Sequence, residues 1–219
     1  MSNKLINLPN SEDDMMRSAT FDGKKFNELE HSEWEIKSIL SLFNRKNIEK
    51  NSYAYFYSDA TEEKFKASIK NYSIVHIATH SFINESQPQI SGIVFAQPDT
   101  NQNSAEDGIL YAGEIYNLDL NADLVVLSSC ESGLGKLIKG EGMMALTRGF
   151  LYSGANNVLF SLWKVPDKPT SELMVEFYKN ILSGNSYGNS LREAKLTLIK
   201  NSSTSRPRSW ASFILVGGN

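Results

Sequence analysis

One segment of the chain, residues 124–135, changes abruptly from apolar to small and polar residues. Its first four residues are all apolar with two adjacent valines, a pattern typical of a strand buried on both faces of a parallel sheet. The run ends in Ser128, Ser129 and Cys130, and open α/β sheets bind their ligands at the carboxyl ends of the strands. The only cysteine of the chain is therefore predicted to lie where such folds keep reactive groups.

Residues 74–81 repeat this pattern: a β-rich apolar run ends in His80 and Ser81. Two strand ends, one with His80 and the other with Cys130, predict a nucleophile and its base. The small residues around Cys130 leave room for a substrate backbone, and a nearby imidazole would lower the pKa of the thiol. His76 lies inside the strand, so we interpret it as a structural polar group of the core.

A metal site is the first alternative, because His76 and His80 are four positions apart. On a helix this spacing would place both on one face. On a strand, four positions span ~13 Å, which is too far for the two histidines to share one zinc ion. Gly133, Gly135 and Lys136 also lack the remaining residues of a phosphate-binding loop. The sequence predicts no metal site and no cofactor.

Composition excludes several other functions. The chain has 219 residues and a net charge of −3, so no basic surface favours nucleic acid or an anionic membrane. The start of the chain lacks the apolar segment of a secretory signal, and no apolar run approaches the ~20 residues that span a bilayer. A single cysteine forbids an internal disulfide and fits a reducing compartment. These features predict a cytoplasmic protein.

The alternation of patterns along the chain predicts an α/β fold. Predicted strands cover residues 53–57, 74–81, 92–95, 124–127, 157–163 and, as an edge strand, 213–216. Predicted helices cover residues 32–44, 61–69, 112–116, 140–152, 167–182 and 191–199. Together they indicate a three-layer α/β/α sandwich with a mostly parallel sheet, in which residues 53–77 form a right-handed βαβ unit.

Local patterns predict the domain limits and helix starts. Polar residues 1–25 are expected to form a flexible lead-in or linker before a single domain over residues 26–217. Residues 97–107 are expected to form a surface loop. Ser32 and Glu35 have the spacing of a capping box. Thr61 is predicted to be the N-cap of the helix over residues 61–69, and Asp167 or Thr170 the N-cap of the helix that ends at residue 182.

The chemistry that this arrangement favours is acyl transfer to cysteine. His80 would deprotonate Cys130, whose thiolate would attack an amide carbonyl. Backbone amides, those of Ser81 and Cys130, would hold the oxyanion. His80 would then protonate the leaving amine, and water would cleave the thioester.

These residues resemble a known family. Residues 76–81, His-Ile-Ala-Thr-His-Ser, resemble the H-x-A-T-H-G motif of CHAT-domain proteases, and residues 124–135 resemble their L-V-V-L-S-A-C-E-T-G-x-G. Residues 140–155, 161–165 and 210–217 resemble further stretches of the family in the same order. The resemblance extends over about residues 26–217.

CHAT domains are similar to caspases, separases and gingipains. The resemblance implies a caspase–haemoglobinase-like fold, a His80–Cys130 dyad and a regulatory cysteine endopeptidase from a bacterium that cleaves a protein or peptide substrate. It also implies activation by a partner, such as a fused tetratricopeptide-repeat region. The family usually has glycine where this chain has Ser81, whose side chain would crowd the oxyanion hole.

By analogy with caspase-like folds, the strand after the nucleophile's helix lines the substrate cleft, which makes Ser161, Trp163 and Asp167 candidates for its wall. Two alternatives stay open. The domain could be a non-catalytic interaction module, or the same dyad could perform transpeptidation.

Overall fold

The structure, a computed structural model, describes residues 20–21, 24–25, 29–46, 52–84, 86–97, 105–128, 130–131 and 141–218. The described helices are α1 (Ser32–Arg45), α2 (Glu62–Ser68), α3 (Ala112–Ile115), α4 (Glu141–Tyr152), α5 (Asp167–Leu182) and α6 (Tyr187–Lys200). The described strands are β1 (Thr20–Phe21), β2 (Lys24–Lys25), β3 (Ile74–Ile77), β4 (His80–Phe82), β5 (Gly92–Val94), β6 (Ile109–Tyr111), β7 (Leu124–Leu127), β8 (Cys130–Glu131), β9 (Asn157–Ser161) and β10 (Phe213–Gly217).

The main sheet has four strands in the order β10-β9-β7-β3. β3, β7 and β9 are mutually parallel, and β10 joins the edge antiparallel to β9. The mostly parallel sheet and the edge strand at residues 213–216 are therefore confirmed. Since the three parallel strands share one direction, their carboxyl ends meet at one edge of the sheet.

The two apolar faces of β7 divide the core. Val125 and Leu127 belong to a cluster that includes residues of α3 and α4. Leu124 and Val126 belong to a second cluster, which includes residues of α1, α5 and α6. All four side chains are at most 2% exposed, because β7 is covered on both faces. The three-layer α/β/α arrangement is thus confirmed.

A smaller sheet continues from the carboxyl ends of β3 and β7, with its strands in the order β6-β5-β4-β8. Ile77 pairs with Leu127, and the Ser128 N–H donates to the Ile77 carbonyl oxygen at 2.9 Å. Three positions after this pair on each strand, His80 pairs with Cys130, again in parallel. The segment that forms β3 and β4 and the segment that forms β7 and β8 therefore stay in one parallel register through both sheets.

The strand predicted over residues 53–57 is wrong, and so is the βαβ unit built on it. Residues 52–56 belong to none of the described strands, and Tyr57–Asp59 forms a 3₁₀ turn. Tyr53 and Tyr55 are 67% and 45% exposed, so these aromatic side chains lie on the surface. β6, which pairs with β5, was not predicted.

Two of the predicted helix caps are also wrong. The Ser32 hydroxyl donates to the Leu29 carbonyl oxygen at 2.9 Å, while Glu35 is buried and bonds elsewhere. Asp167 is the first residue of α5, and the hydroxyl of Thr170 donates within the helix to the Pro166 carbonyl oxygen. The Thr61 cap is confirmed, because its hydroxyl oxygen accepts the Lys64 N–H at 3.3 Å.

The predicted lead-in and surface loop fall largely outside the described residues. Within residues 1–25, only β1 and β2 are described, and they pair antiparallel. Of the loop at residues 97–107, residues 98–104 lie outside the described part. Among the helices that the structure describes, none has the length and apolarity to cross a membrane.

Candidate active site

His80 is the first residue of β4, an interior strand of the smaller sheet. It pairs with Val94 on one side and with Cys130 on the other. Thr79, the residue before it, donates its hydroxyl to the Val94 carbonyl oxygen at 2.6 Å. The side chain of His80 is half-buried. Residues 78–79 therefore connect β3 to β4, and the Thr79 hydrogen bond holds the backbone next to His80.

Cys130 opens β8, and the structure describes its backbone. Neighbouring strands lie ~4.8 Å apart, so the backbones of His80 and Cys130 are one strand spacing apart at the same level. The two reactive residues singled out in the sequence are thus backbone partners, and their catalytic roles stay predictions.

Ser81, a predicted oxyanion donor, lies on β4 between Ile93 and Glu131. Its residue surface is 0% exposed, so the side chain that replaces the family's glycine is packed inside the protein. The oxyanion roles of the Ser81 and Cys130 amides stay predictions.

The three candidates for the substrate wall lie at and after the carboxyl end of β9. This is the edge of the main sheet at which β3 and β7 also end. Ser161 ends β9 and is 5% exposed, whereas Trp163 is 40% exposed. One carboxylate oxygen of Asp167 accepts the backbone N–H of His31 at 2.7 Å. The substrate-binding roles of all three residues stay predictions.

His76 forms a buried polar chain with two residues of the helical layer. Its Nε2 lies 2.7 Å from Oε1 of Glu35, and its Nδ1 lies 3.1 Å from the Tyr178 hydroxyl. Burial, together with the Glu35 carboxylate, raises the pKa of Tyr178 well above its ordinary value, so this hydroxyl keeps its proton. The interpretation of His76 as a satisfied core residue agrees with these contacts.

The sequence did not predict that Glu35 and Tyr178 would meet His76, since they are 41 and 102 positions away from it. One signal was available. Glu35 precedes Ile39 by four positions and Leu42 by seven, so it falls on the apolar stripe of α1. A carboxylate in such a stripe is informative, because a buried charge requires a partner.

A cluster of three carboxylates lies elsewhere in the structure. Oxygens of Glu62, Glu106 and Glu114 all lie within 4.8 Å of one another, a spacing that a metal ion could use. Lys66 Nζ is 2.7 Å from Glu62, 2.6 Å from Glu106 and 2.9 Å from Glu114. The cluster is therefore explained by the ammonium group, and it ties α2 to the segment around β6.

Burial opposes the charge of Lys66, but the hydrogen bonds to the three carboxylates outweigh it and raise the pKa of the ammonium. Burial raises the pKa of Glu62 as well, against the effect of Lys66. The charged forms of Lys66 and Glu62 therefore stabilise each other against the cost of burial.

Comparison with known proteins identifies the family of this chain. Residues 3–218 match the model of the CHAT domain family. The chain is 30% identical over 190 residues to human (Homo sapiens) tetratricopeptide repeat protein 28, and 31% identical to the mouse (Mus musculus) protein of the same name. The match covers 74% of this chain but only 8% of each relative, so the chain spans a small part of their length. The chain belongs to the CHAT domain family.

Proposed function

We propose that this protein is a cysteine endopeptidase with a His80–Cys130 dyad. The observation that carries the proposal is the parallel register that pairs these two backbone positions beyond the ends of β3 and β7. A His and a Cys at matched positions are what nucleophilic catalysis by a thiolate requires. Membership of the CHAT domain family, which is caspase-like, adds a second line of support.

The mechanism follows from this pair. Imidazole takes the proton of the Cys130 thiol, and the thiolate sulfur forms a bond to the carbonyl carbon of the scissile amide. The oxyanion is stabilised by backbone N–H groups, with Ser81 and Cys130 as candidates. As the carbon–nitrogen bond breaks, His80 gives the proton to the leaving amine. Water, deprotonated by His80, then hydrolyses the thioester and regenerates the thiol.

The substrate is a protein or peptide, because the dyad attacks an amide. We propose that the cleft wall includes Ser161, Trp163 and Asp167, which follow the same sheet edge. The names of the two mammalian relatives support a tetratricopeptide-repeat region as the activating partner. The bacterial source and the cytoplasmic location stay predictions.

The test is labelling with a panel of peptidyl acyloxymethyl ketones, followed by intact-mass measurement. One adduct per chain is expected, because Cys130 is the only cysteine. His80→Ala and Cys130→Ala should both abolish this adduct. The probe that labels the parent protein fastest identifies, by the residue next to its ketone, the preferred residue before the scissile bond.

Two outcomes contradict the proposal. If His80→Ala labels as fast as the parent protein, the thiol acts without a dyad. If the parent protein reacts with iodoacetamide but with no peptidyl probe, the thiol is accessible but no peptide binds beside it. If this result persists when a tetratricopeptide-repeat region is added, the domain is an interaction module. Product analysis with a competing amine separates hydrolysis from transpeptidation.

A further inference from the structure

The buried chain Glu35–His76–Tyr178 takes no part in the proposed chemistry. It connects three elements: α1 through Glu35, β3 through His76 and α5 through Tyr178. Glu35 and Tyr178 are each 1% exposed, so both polar groups have left water to reach His76. His76 belongs to the same continuous segment as His80, which follows four positions later. The question is what this buried link contributes.

The donors and acceptors of the chain match one another. The Nε2–H of His76 can donate to the carboxylate of Glu35, which accounts for the 2.7 Å contact. The Tyr178 hydroxyl can both donate and accept, so it satisfies Nδ1 of His76 in either form of the ring. Each group satisfies the next, and the orientation of the imidazole is fixed from both sides.

Stability alone does not account for the chain. Removing a carboxylate and an imidazole from water is costly, and apolar side chains of similar size often stabilise such a site as well or better. What apolar packing lacks is direction. Hydrogen bonds at 2.7 and 3.1 Å define where β3 lies relative to α1 and α5.

β3 needs such a fixed position, because it ends the order of the main sheet and its described ladder partner is β7 alone. A displacement of β3 would be carried through residues 78–79 to His80. α1 is held at a second point near its start, where the His31 N–H donates to Asp167. One helix therefore bonds both to the strand before His80 and to the segment after β9.

We infer that Glu35 is a positioning residue for the dyad: through His76 it holds β3 so that His80 stays at the level of Cys130. This inference rests on the proposed function. α1 is then the helix through which a change outside the site would alter the distance between the imidazole and the thiol.

The experiment measures how the rate of Cys130 alkylation by iodoacetamide depends on pH. This rate follows the thiolate fraction, and a thiol beside an imidazolium titrates below the ~8.5 of a free cysteine. The proteins compared are the parent, His80→Ala, Glu35→Gln and the triple variant Glu35→Met/His76→Phe/Tyr178→Phe. Leu198→Ala, which opens a cavity in the same apolar cluster and removes none of the hydrogen bonds to His76, is the control for lost stability.

The midpoint of the pH profile should rise in His80→Ala. In the triple variant it should move at least half of that way, although this variant keeps a packed core. Glu35→Gln keeps an oxygen that accepts from Nε2 of His76, so its midpoint should lie closer to that of the parent than to that of the triple variant. Leu198→Ala should lower the melting temperature and leave the midpoint unchanged. A parental midpoint in the folded triple variant would overturn the inference.

A second measurement separates this inference from the proposed function. The chain has only three histidines, so ¹⁵N labelling of histidine resolves their ring signals. The parent should show His76 protonated at Nε2, and the His80 signals should shift in the triple variant but not in Leu198→Ala. If the parent and His80→Ala share one midpoint, the dyad fails. The His80 signals then decide the positioning role, and unchanged signals overturn it.

Discussion

Ser81 places a buried side chain next to the proposed base, at a position where the family usually has glycine. Ser81→Gly would open the space beside the candidate oxyanion donors. We expect the rate of peptidyl ketone labelling to rise about fivefold, which corresponds to ~1 kcal/mol of relieved crowding. The unfolding free energy should fall by ~0.5–1 kcal/mol, because glycine is more flexible in a strand.

The control for this change is Ser212→Gly, another serine that is 0% exposed but lies before β10. It should lose similar stability without a change in labelling rate. Slower labelling of Ser81→Gly than of the parent protein would show that the serine assists the reaction.

Lys66 forms ion pairs with three carboxylates, of which Glu62 is 1% exposed. Lys66→Met leaves this carboxylate buried without a cationic partner, although the Gly108 N–H still donates to it at 3.0 Å, so we expect a loss of ~3 kcal/mol in unfolding free energy at pH 8. Burial already raises the pKa of Glu62, and loss of the ammonium raises it further. A group with a raised pKa in the folded state favours folding at low pH and loses that contribution as the pH rises.

The destabilisation by Lys66→Met should therefore be clearly smaller at pH 5 than at pH 8 in urea denaturation. Lys64→Met removes an exposed pair with Asp59 and should cost less than ~1 kcal/mol at either pH. Equal losses at both pH values would mean that removal of Lys66 does not change the protonation of Glu62 in the folded state, which contradicts this prediction.

Among the elements, α4 packs most tightly at Gly142. A Cβ atom at Gly142 would lie 2.3 Å from Cγ2 of Ile83 and 2.8 Å from Oγ of Ser91, whereas one at Gly188 of α6 would meet nothing within 4 Å. Gly142→Ala should therefore cost ~1–2 kcal/mol despite the better helix propensity of alanine. Gly188→Ala should gain ~0.5–1 kcal/mol.

Thermal unfolding of the two glycine variants tests this contrast. Since Ile83 follows β4 directly, labelling of Cys130 should also slow in Gly142→Ala alone. A stabilised Gly142→Ala would show that α4 can shift away from Ile83 without loss.

Sequence patterns predicted the longer elements that have one or both faces apolar, whereas the three-residue strand β6 was missed. β7 and β9 are continuous apolar runs, and α4 and α5 carry clear stripes. The strand prediction for residues 53–57 was wrong because tyrosine suits a strand and an exposed surface equally well. The sequence placed His80 and Cys130 at strand ends, but their common register depends on non-local pairing that no local pattern contains.

At the scale of the whole molecule, β7 joins the two apolar clusters that lie on opposite faces of the sheet. Val126 belongs to the cluster of α1, α5 and α6, while its neighbour Val125 belongs to the other. Val126→Ala should cost ~2 kcal/mol and lower the melting temperature by about 6 °C. Because the faces share one strand, both should unfold in a single transition.

Far-UV circular dichroism and tryptophan fluorescence should report the same midpoint for Val126→Ala. An unchanged midpoint for one of these probes would indicate that the two layers unfold separately. For Leu198→Ala, in the same cluster but on α6, the two probes should also report one common midpoint.

The common register of the two sheets imposes a shared length requirement on two distant parts of the gene. Two residues separate Ile77 from His80, and two separate Leu127 from Cys130. One codon inserted into either interval would move one reactive residue a position along its strand and to the other side of it. Insertion into both intervals would restore the match, so tolerance to insertion belongs to the pair of intervals and to neither one alone.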